Sequence, residues 1–194
     1  MIYHATSDEE LMAAYQQGDV TAFDVLLGRH KNGVYNFLYR NMGQEENAEE
    51  GFQEIFSRVI KSAASYKPSA KFSTWLYTIA RNYCIDHSRK EKWRQTTSLS
   101  EKVGDAEDLK LEDQIADETQ NPEKDRNQKN LGEVVEQLLS KMNPDQKEVF
   151  LMREQSNIAF DDIAKIVGAT TSTVKSRMRY ALAFLRDELK KLDW

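Results

Sequence analysis

Cysteine, proline and glycine are all scarce in this chain of 194 residues. Cys84 is the single cysteine, which excludes an intrachain disulfide and a zinc site built from cysteines. Three prolines and eight glycines leave few breaks for turns, and few stretches alternate in the way that strands do. We therefore expect an all-α fold.

Long apolar runs are also missing, and we expect no secretory leader. No run approaches the ~20 apolar residues that cross a bilayer, and the first residues are polar and acidic. There is no GxxxxGK phosphate loop and no cluster of metal ligands, and Asp86, His87 and Ser88 point in different directions on a helix. We expect a soluble cytoplasmic protein that is not an enzyme and uses no cofactor or metal.

The net charge of −5 hides a segregation of sign along the chain. Residues 44–54 contain five glutamates and no cation. Residues 81–94 have five basic against two acidic side chains, a net of +3, and residues 171–191 have six against two, a net of +4. Blocks of opposite sign indicate several different partners.

Residues 160–185 have the pattern of a helix-turn-helix. An apolar stripe marks a first short helix, and Gly168 ends it with a residue that adopts the left-handed conformation at little cost. Thr170 or Thr171 can cap a second, basic helix. The sequence predicts that this second helix reads the major groove of DNA.

The second helix separates its residues onto distinct sides. Its apolar stripe is Val174, Met178, Leu182 and Leu185. Small polar groups and cations occupy the opposite side and its flanks: Ser172, Thr173, Lys175, Ser176, Arg177, Arg179 and Tyr180. This layout suits base edges flanked by phosphates, although a basic helix in a helical bundle has the same pattern.

An acidic ridge stands out in the segment that begins at Asn47. The apolar stripe of this segment is Phe52, Ile55, Phe56, Val59 and Ile60, and the ridge consists of Glu46, Glu49, Glu50, Gln53 and Glu54. Solubility and favourable carboxylates near a helix N-terminus suffice to explain the ridge from spacing alone. Docking on a basic protein surface is the other explanation.

The basic block that follows combines a loop, aromatic residues and cations. Lys67–Lys71 is expected to be a loop, and Ser73 or Thr74 to cap the helix after it. Tyr77 and Trp93 are candidates for stacking on melted DNA bases beside the cations, and burial in the core is the alternative for both.

The segment 95–130 has ten acidic and five basic side chains and few apolar ones. That composition is typical of a flexible linker, with a transient helix expected near 106–116. We predict two small helical domains, 1–94 and 131–194, joined by the acidic linker 95–130, because an unpacked segment this long is unusual inside one domain.

Four segments in this order resemble a bacterial RNA polymerase sigma factor of the extracytoplasmic-function (ECF) group. They are NAEEGFQEIFSRVI, FSTWLYTIARNYCIDHSRKEKWR, LLSKMNPDQKEVFLMRE and FDDIAKIVGATTSTVKSRMRYALAFLR. The resemblance implies a sigma-two-like domain and a sigma-four-like helix-turn-helix domain. It also implies three partners: core RNA polymerase (β′ clamp helices and β subunit), promoter DNA and an anti-sigma factor.

Site residues follow from the same resemblance. Docking on the clamp helices is implied for Asn47, Glu50, Gln53, Glu54 and Phe56. Melting of the minus-ten element, with a flipped base held by the loop, is implied for Lys67, Lys71, Asn82, Asp86, Arg89 and Lys90. The seven polar and basic residues of the second helix are implied to read the minus-thirty-five element as duplex. The acidic linker is expected to follow the channels that later hold RNA.

A helix-turn-helix regulator that acts without core polymerase is the alternative function. It explains the C-terminal basic helix, but it explains neither the acidic ridge nor the aromatic and cationic helix that follows the loop.

Overall fold

A computed structural model describes residues 3, 5–68, 70–102 and 123–192, with side chains given up to residue 94 and again from residue 132. These residues form helices and no strands, which confirms the all-α prediction. The helices are α1 (Asp8–Gln16), α2 (Val20–Met42), α3 (Glu45–Ser62) with a 3₁₀ turn (Ala63–Ser65), α4 (Phe72–Lys102), α5 (Glu123–Lys141), α6 (Pro144–Glu154), α7 (Phe160–Val167) and α8 (Thr171–Lys191). None of the described helices is long and apolar enough to cross a membrane.

Helices α1 to α4 pack around one core. Fully buried side chains come from each of them, among them Leu11, Phe37, Ile55 and Leu76. The start of α1 is fixed by a capping box, in which the Ser7 hydroxyl accepts the N–H of Glu10 and the Glu10 carboxylate accepts the N–H of Ser7.

The start of α4 differs from the sequence prediction. The helix begins at Phe72, so that Ser73 and Thr74 lie inside its first turn and neither is its cap. The N–H of Phe72 donates instead to the carboxylate of Glu9 in α1, at 2.8 Å. A side chain distant in sequence thus provides what a local cap usually provides.

Two apolar residues face directions that periodicity did not predict, and the structure decides between the two alternatives for Tyr77. Ile60 is 47% exposed, because the buried side of α3 continues through Val59 rather than through its neighbour. Leu182 is 43% exposed, because Ala181 continues the buried line of α8. Tyr77 is only 1% exposed and cannot stack on DNA in this arrangement, since α4 is covered on two sides.

The C-terminal helices form the predicted helix-turn-helix. Asn143 caps α6 with Pro144 at its first position, and Gly168 ends α7 in the left-handed region at φ 68°. The Thr170 hydroxyl accepts the N–H of Thr173 and so caps α8. Ala159 precedes α7, and no side chain caps this helix.

Helical structure extends into both ends of the segment 95–130. Helix α4 continues to Lys102, and α5 begins at Glu123. The helix predicted near 106–116 lies outside the described residues, and the boundaries 1–94, 95–130 and 131–194 remain predictions.

The N-terminal and C-terminal groups of helices pack against each other. Helix α7 lies on α4, and both α5 and α6 contact α2. Lys71 Nζ lies 2.8 Å from Asp162 Oδ2, Arg81 Nε lies 2.8 Å from Glu148 Oε2, and the hydroxyls of Tyr77 and Ser156 are 2.5 Å apart. The Tyr77 hydroxyl passes so close to Gly33 that a Cβ there would lie 2.8 Å from it.

Candidate nucleic-acid and protein interfaces

The acidic ridge lies along the outer face of α3. Glu46, Glu49, Glu50 and Gln53 are exposed, and the ridge begins within the first turn of the helix, where carboxylates are favourable. Since residues 44–54 contain no cation, the ridge is a surface of one sign. Such a surface is suited to a basic partner.

The other residues predicted to bind polymerase have internal partners. Glu54 accepts a 2.7 Å hydrogen bond from Arg58 Nε, and this bond lowers the pKa of Glu54. The amide of Asn47 donates to Gln44 at 2.9 Å. Phe56 is buried at 7% exposure and packs on Phe52, with ring centroids 4.8 Å apart, so it supports the ridge from beneath.

The loop between the 3₁₀ turn and α4 has a basic residue at each end. Lys67 and Lys71 are both exposed, and Ser69 lies outside the described residues. The Tyr66 hydroxyl donates to Ala70 O at 2.8 Å across the loop. Burial, with the charges of Glu9 and Asp8, raises the pKa of Tyr66 to about 12, so this hydroxyl remains a donor at neutral pH.

One face of α4 carries the remaining residues predicted to contact the minus-ten element. Asn82, Asp86 and Arg89 recur at helical spacing and are all exposed, and Lys90 is exposed beside them. Trp93 follows with 70% exposure. This face can present hydrogen-bonding groups and positive charge to a nucleic acid strand.

Sequence reasoning did not identify two cations on α3 that join this surface. Arg58 and Lys61 line a shallow cleft of about 410 Å³ together with Trp75, Ile79 and Asn82. Only the packing of α3 on α4 brings these side chains together. The one signal in the sequence was their i, i+3 spacing, which an ordinary solvated helix face also shows.

Helix α8 presents most of its predicted DNA-reading residues outward. Ser172, Thr173, Lys175, Arg179 and Tyr180 are exposed, and Ser176 is half-buried. The Arg179 guanidinium stacks on the ring of Tyr180 at 5.3 Å. A cation–aromatic pair of this kind presents a flat surface with a charge beside it.

Arg177 is the residue of this group that turns toward the protein. Its guanidinium bonds Asp145 of α6 and lies 3.9 Å from Glu148, and its side chain is 25% exposed. Thr171 donates to Asp161 at 2.7 Å and ties the start of α8 to α7. These contacts fix the angle at which α8 leaves the domain.

Cys84 lies half-buried on α4. Burial, with the nearby charge of Glu148, raises the pKa of its thiol to about 12. A thiol that stays protonated at neutral pH is a poor nucleophile, in agreement with a packing role rather than a redox one.

The two helical regions each match a known family. Sigma-70 region 2 matches residues 26–94, and Sigma-70 region 4 matches residues 132–185. The chain is 30% identical to the ECF RNA polymerase sigma factor SigW of Bacillus subtilis, with 91% of this chain and 94% of that protein covered. The chain belongs to the ECF RNA polymerase sigma factors. It therefore binds core RNA polymerase and directs promoter-specific initiation of transcription.

Other relatives and solved structures agree with this family. The ECF RNA polymerase sigma-E factor of Haemophilus influenzae is 28% identical over 96% of this sigma factor and 97% of its own length. The sigma factor RpoE in complex with the anti-sigma factor NepR from Bartonella quintana has a similar fold, with a TM-score of 0.67 at 21% identity over 87% of this chain and 96% of that one. The structure of CnrH in complex with the cytosolic domain of CnrY gives 0.65 at 19% identity, over 95% and 97%.

Proposed function

We propose that three surfaces of this sigma factor have separate binding roles in transcription initiation. The acidic ridge of α3 docks on the β′ clamp helices, the loop at 67–71 with the outer face of α4 captures the melted minus-ten strand, and α8 reads the minus-thirty-five element as duplex. The observation that carries this assignment is the opposite sign of neighbouring surfaces. Glu50 of α3 lines one cleft with Arg89 and Lys90 of α4, so the acidic docking surface and the basic DNA surface adjoin and can be occupied side by side.

Melting on these surfaces needs no nucleotide hydrolysis. Extruding a base costs a few kcal/mol, and binding energy from stacking and phosphate contacts offsets that cost. The proposal includes no catalytic residue, because the surfaces offer charge, hydrogen bonds and aromatic rings rather than an assembled nucleophile and base. A cytoplasmic location is part of it, since core polymerase and promoter DNA are found there in bacteria.

Reading both promoter elements requires the two groups of helices to separate. The elements lie about 25 base pairs apart, which is about 85 Å at ~3.4 Å per base pair. A packed chain of this length has a radius of gyration of about 16 Å, hence a diameter of about 40 Å. The contacts of Lys71 with Asp162 and of Arg81 with Glu148 must therefore open on the promoter.

The closed arrangement also occupies one of the proposed DNA contacts. Asp162 of α7 holds the ammonium group of Lys71, as a phosphate would, and this hydrogen bond raises the pKa of Lys71. DNA must displace Asp162 to gain this cation. Affinity for DNA without polymerase is therefore expected to be weak.

An anti-sigma factor is the third proposed partner. The similarly folded RpoE was solved in complex with the anti-sigma factor NepR. Affinity capture of the tagged protein from its own host, followed by challenge with core polymerase, tests this proposal. A supporting result is a bound protein that core polymerase displaces, and recovery of no such protein contradicts it.

Charge reversal on the ridge tests the docking assignment. Glu50→Arg is expected to weaken binding to core polymerase at least tenfold, because a cation then meets the basic partner surface. Asp24→Arg, an exposed carboxylate on α2, is the matched control and should leave binding within twofold of wild type. Gel filtration measures binding to core polymerase, and run-off transcription on genomic DNA measures initiation. Equal affinity of both variants would exclude the ridge as the docking surface.

A further inference from the structure

Helix α1 touches both ends of the loop at 67–71. At the far end, Glu9 Oε1 accepts the N–H of Phe72 at 2.8 Å, the first residue of α4. At the near end, Gln16 Nε2 donates to the carbonyls of Ala63 and Tyr66, at 2.8 and 3.0 Å. No acidic residue lies in the first turn of α4, so Glu9 supplies from another helix the negative charge that this N-terminus favours.

The two contacts have a fixed spacing. Glu9 and Gln16 are seven residues apart, which places them on one face of α1 and about 10 Å apart along its axis. A rigid helix that is hydrogen-bonded to both ends of a short loop fixes the distance between those ends. The loop cannot widen or narrow unless one of these hydrogen bonds breaks.

Helix α1 is itself firmly held. Leu11 and Met12 are fully buried, and Asp8 Oδ1 lies 2.7 Å from Arg29 Nη1, while its Oδ2 lies 2.6 Å from His30 Nε2, both on α2. The His30 ring packs in turn against Phe72, with ring centroids 5.3 Å apart. Helix α1 therefore connects the loop to the core of the N-terminal helices.

A third contact crosses the loop from within. Tyr66 is buried at 6% exposure and packs on Trp75, with centroids 5.0 Å apart, while its hydroxyl bonds Ala70 O. With Glu9 and Gln16 at the ends and Tyr66 beneath, the backbone at Tyr66, Ala70 and Phe72 is held in place while Lys67 and Lys71 remain exposed.

We infer that Glu9 and Gln16 of α1 are positioning residues for recognition and melting of the minus-ten element. They act through the loop and touch no DNA themselves, and they lie before residue 26, where the match to Sigma-70 region 2 begins. This inference rests on the proposed role of the loop in holding a flipped base. A pocket for a flipped base depends on accurate backbone placement, which supporting hydrogen bonds provide.

Four variants separate the hydrogen bonds from general stability. Glu9→Ala removes the acceptor, whereas Glu9→Gln keeps an acceptor oxygen and should rescue. Gln16→Glu replaces a donor by a carboxylate facing two carbonyl oxygens, and the neighbouring exposed Gln17→Ala is its matched control. Each variant is combined with core polymerase on a promoter located by sequencing the run-off start sites of the wild type.

Two readouts that a structural role alone would not move are the rate of open-complex formation and the preference among bases at the minus-ten element. Glu9→Ala and Gln16→Glu are expected to slow opening on duplex promoter at least tenfold and to relax base preference. Glu9→Gln and Gln17→Ala should stay within threefold of wild type. Affinity for core polymerase should change less than twofold in all four, and a promoter melted in advance over the minus-ten element should reduce the defect.

Three results would overturn the inference. They are an unchanged opening rate and base preference in Glu9→Ala and Gln16→Glu, an equal loss in Glu9→Ala and Glu9→Gln, or a loss of core affinity that accounts for the whole defect. Failure of the wild type itself to open any promoter with core polymerase would instead refute the proposed function. The two failures are therefore distinguishable.

Discussion

The contact between Arg81 and Glu148 offers the most direct test of how the two groups of helices are held together. Arg81 Nε and Nη2 donate to the two carboxylate oxygens of Glu148 at 2.8 and 3.3 Å, with the side chains 22% and 12% exposed. Arg81→Ala removes both bonds and leaves Glu148 with the more distant guanidinium of Arg177, 3.9 Å away. Hydrogen bonds to charged groups contribute about 1.5–3 kcal/mol when largely buried, and solvent screening reduces this for a partly exposed pair.

We therefore expect Arg81→Ala to destabilise the closed arrangement by about 2 kcal/mol, which raises the ratio of open to closed molecules about thirtyfold. If polymerase binds the open form, its apparent affinity rises with the open fraction, up to the same factor. Single-molecule energy transfer between labels on Asp24→Cys and Glu154→Cys, in a Cys84→Ser background, reports the distance between the two groups of helices. Both labelled positions are exposed.

The matched control for this experiment is Lys191→Ala. Lys191 forms an exposed pair with Glu188 at 2.5 Å within α8, far from the contact between α4 and α6 in the chain. Its loss should leave the energy-transfer distribution unchanged. If Arg81→Ala also leaves the distribution and the polymerase affinity within twofold of wild type, the ion pair is not what holds the closed form together.

Three further predictions concern single positions. Cys84, with its pKa raised to about 12, should react with iodoacetamide at pH 8 at least ~100-fold more slowly than the unfolded chain, and comparable rates would contradict its burial. Gly168→Ala places a Cβ at φ 68° with no steric neighbour, so urea denaturation should show a loss of about 1–2 kcal/mol, and Gly168→Asn a smaller one. In footprinting of the polymerase complex, Lys175→Ala should weaken binding to all minus-thirty-five sequences alike and lower the salt slope by about 1, whereas Ser176→Ala or Tyr180→Ala should change base preference. Unchanged preference in those two variants would mean that another face of α8 meets the bases.

The contrast between these positions shows which parts of the site the sequence could predict. The end of α7 at Gly168 and the cap of α8 at Thr170 were both predicted, and the structure confirms them. Each depends on groups no more than a few residues apart, so a local pattern contains the whole interaction. The ECF family was likewise predicted, because the four segments and their order can be read directly from the sequence.

Predictions of which side chains are buried were less reliable at the edges of each apolar stripe. The apolar stripe of α8 was correct at Val174 and Met178 but wrong at Leu182, because helical spacing does not decide which of two adjacent residues the neighbouring helix covers. Tyr77 was a candidate for DNA stacking and is instead buried, since α7 and the segment before it cover the second side of α4.

By itself the sequence determined the turn of the helix-turn-helix, which segments are acidic or basic, and to which family the chain belongs. Only the tertiary structure decided three contacts between distant residues. Glu9 caps α4, Arg81 forms an ion pair with Glu148, and Asp162 binds the ammonium group of Lys71. The partners are 63, 67 and 91 residues apart in the sequence. Contacts at such separations leave no periodic or local signature, because either partner alone looks like an ordinary charged residue on a helix surface. They exist only because burial of the apolar faces brings distant helices together.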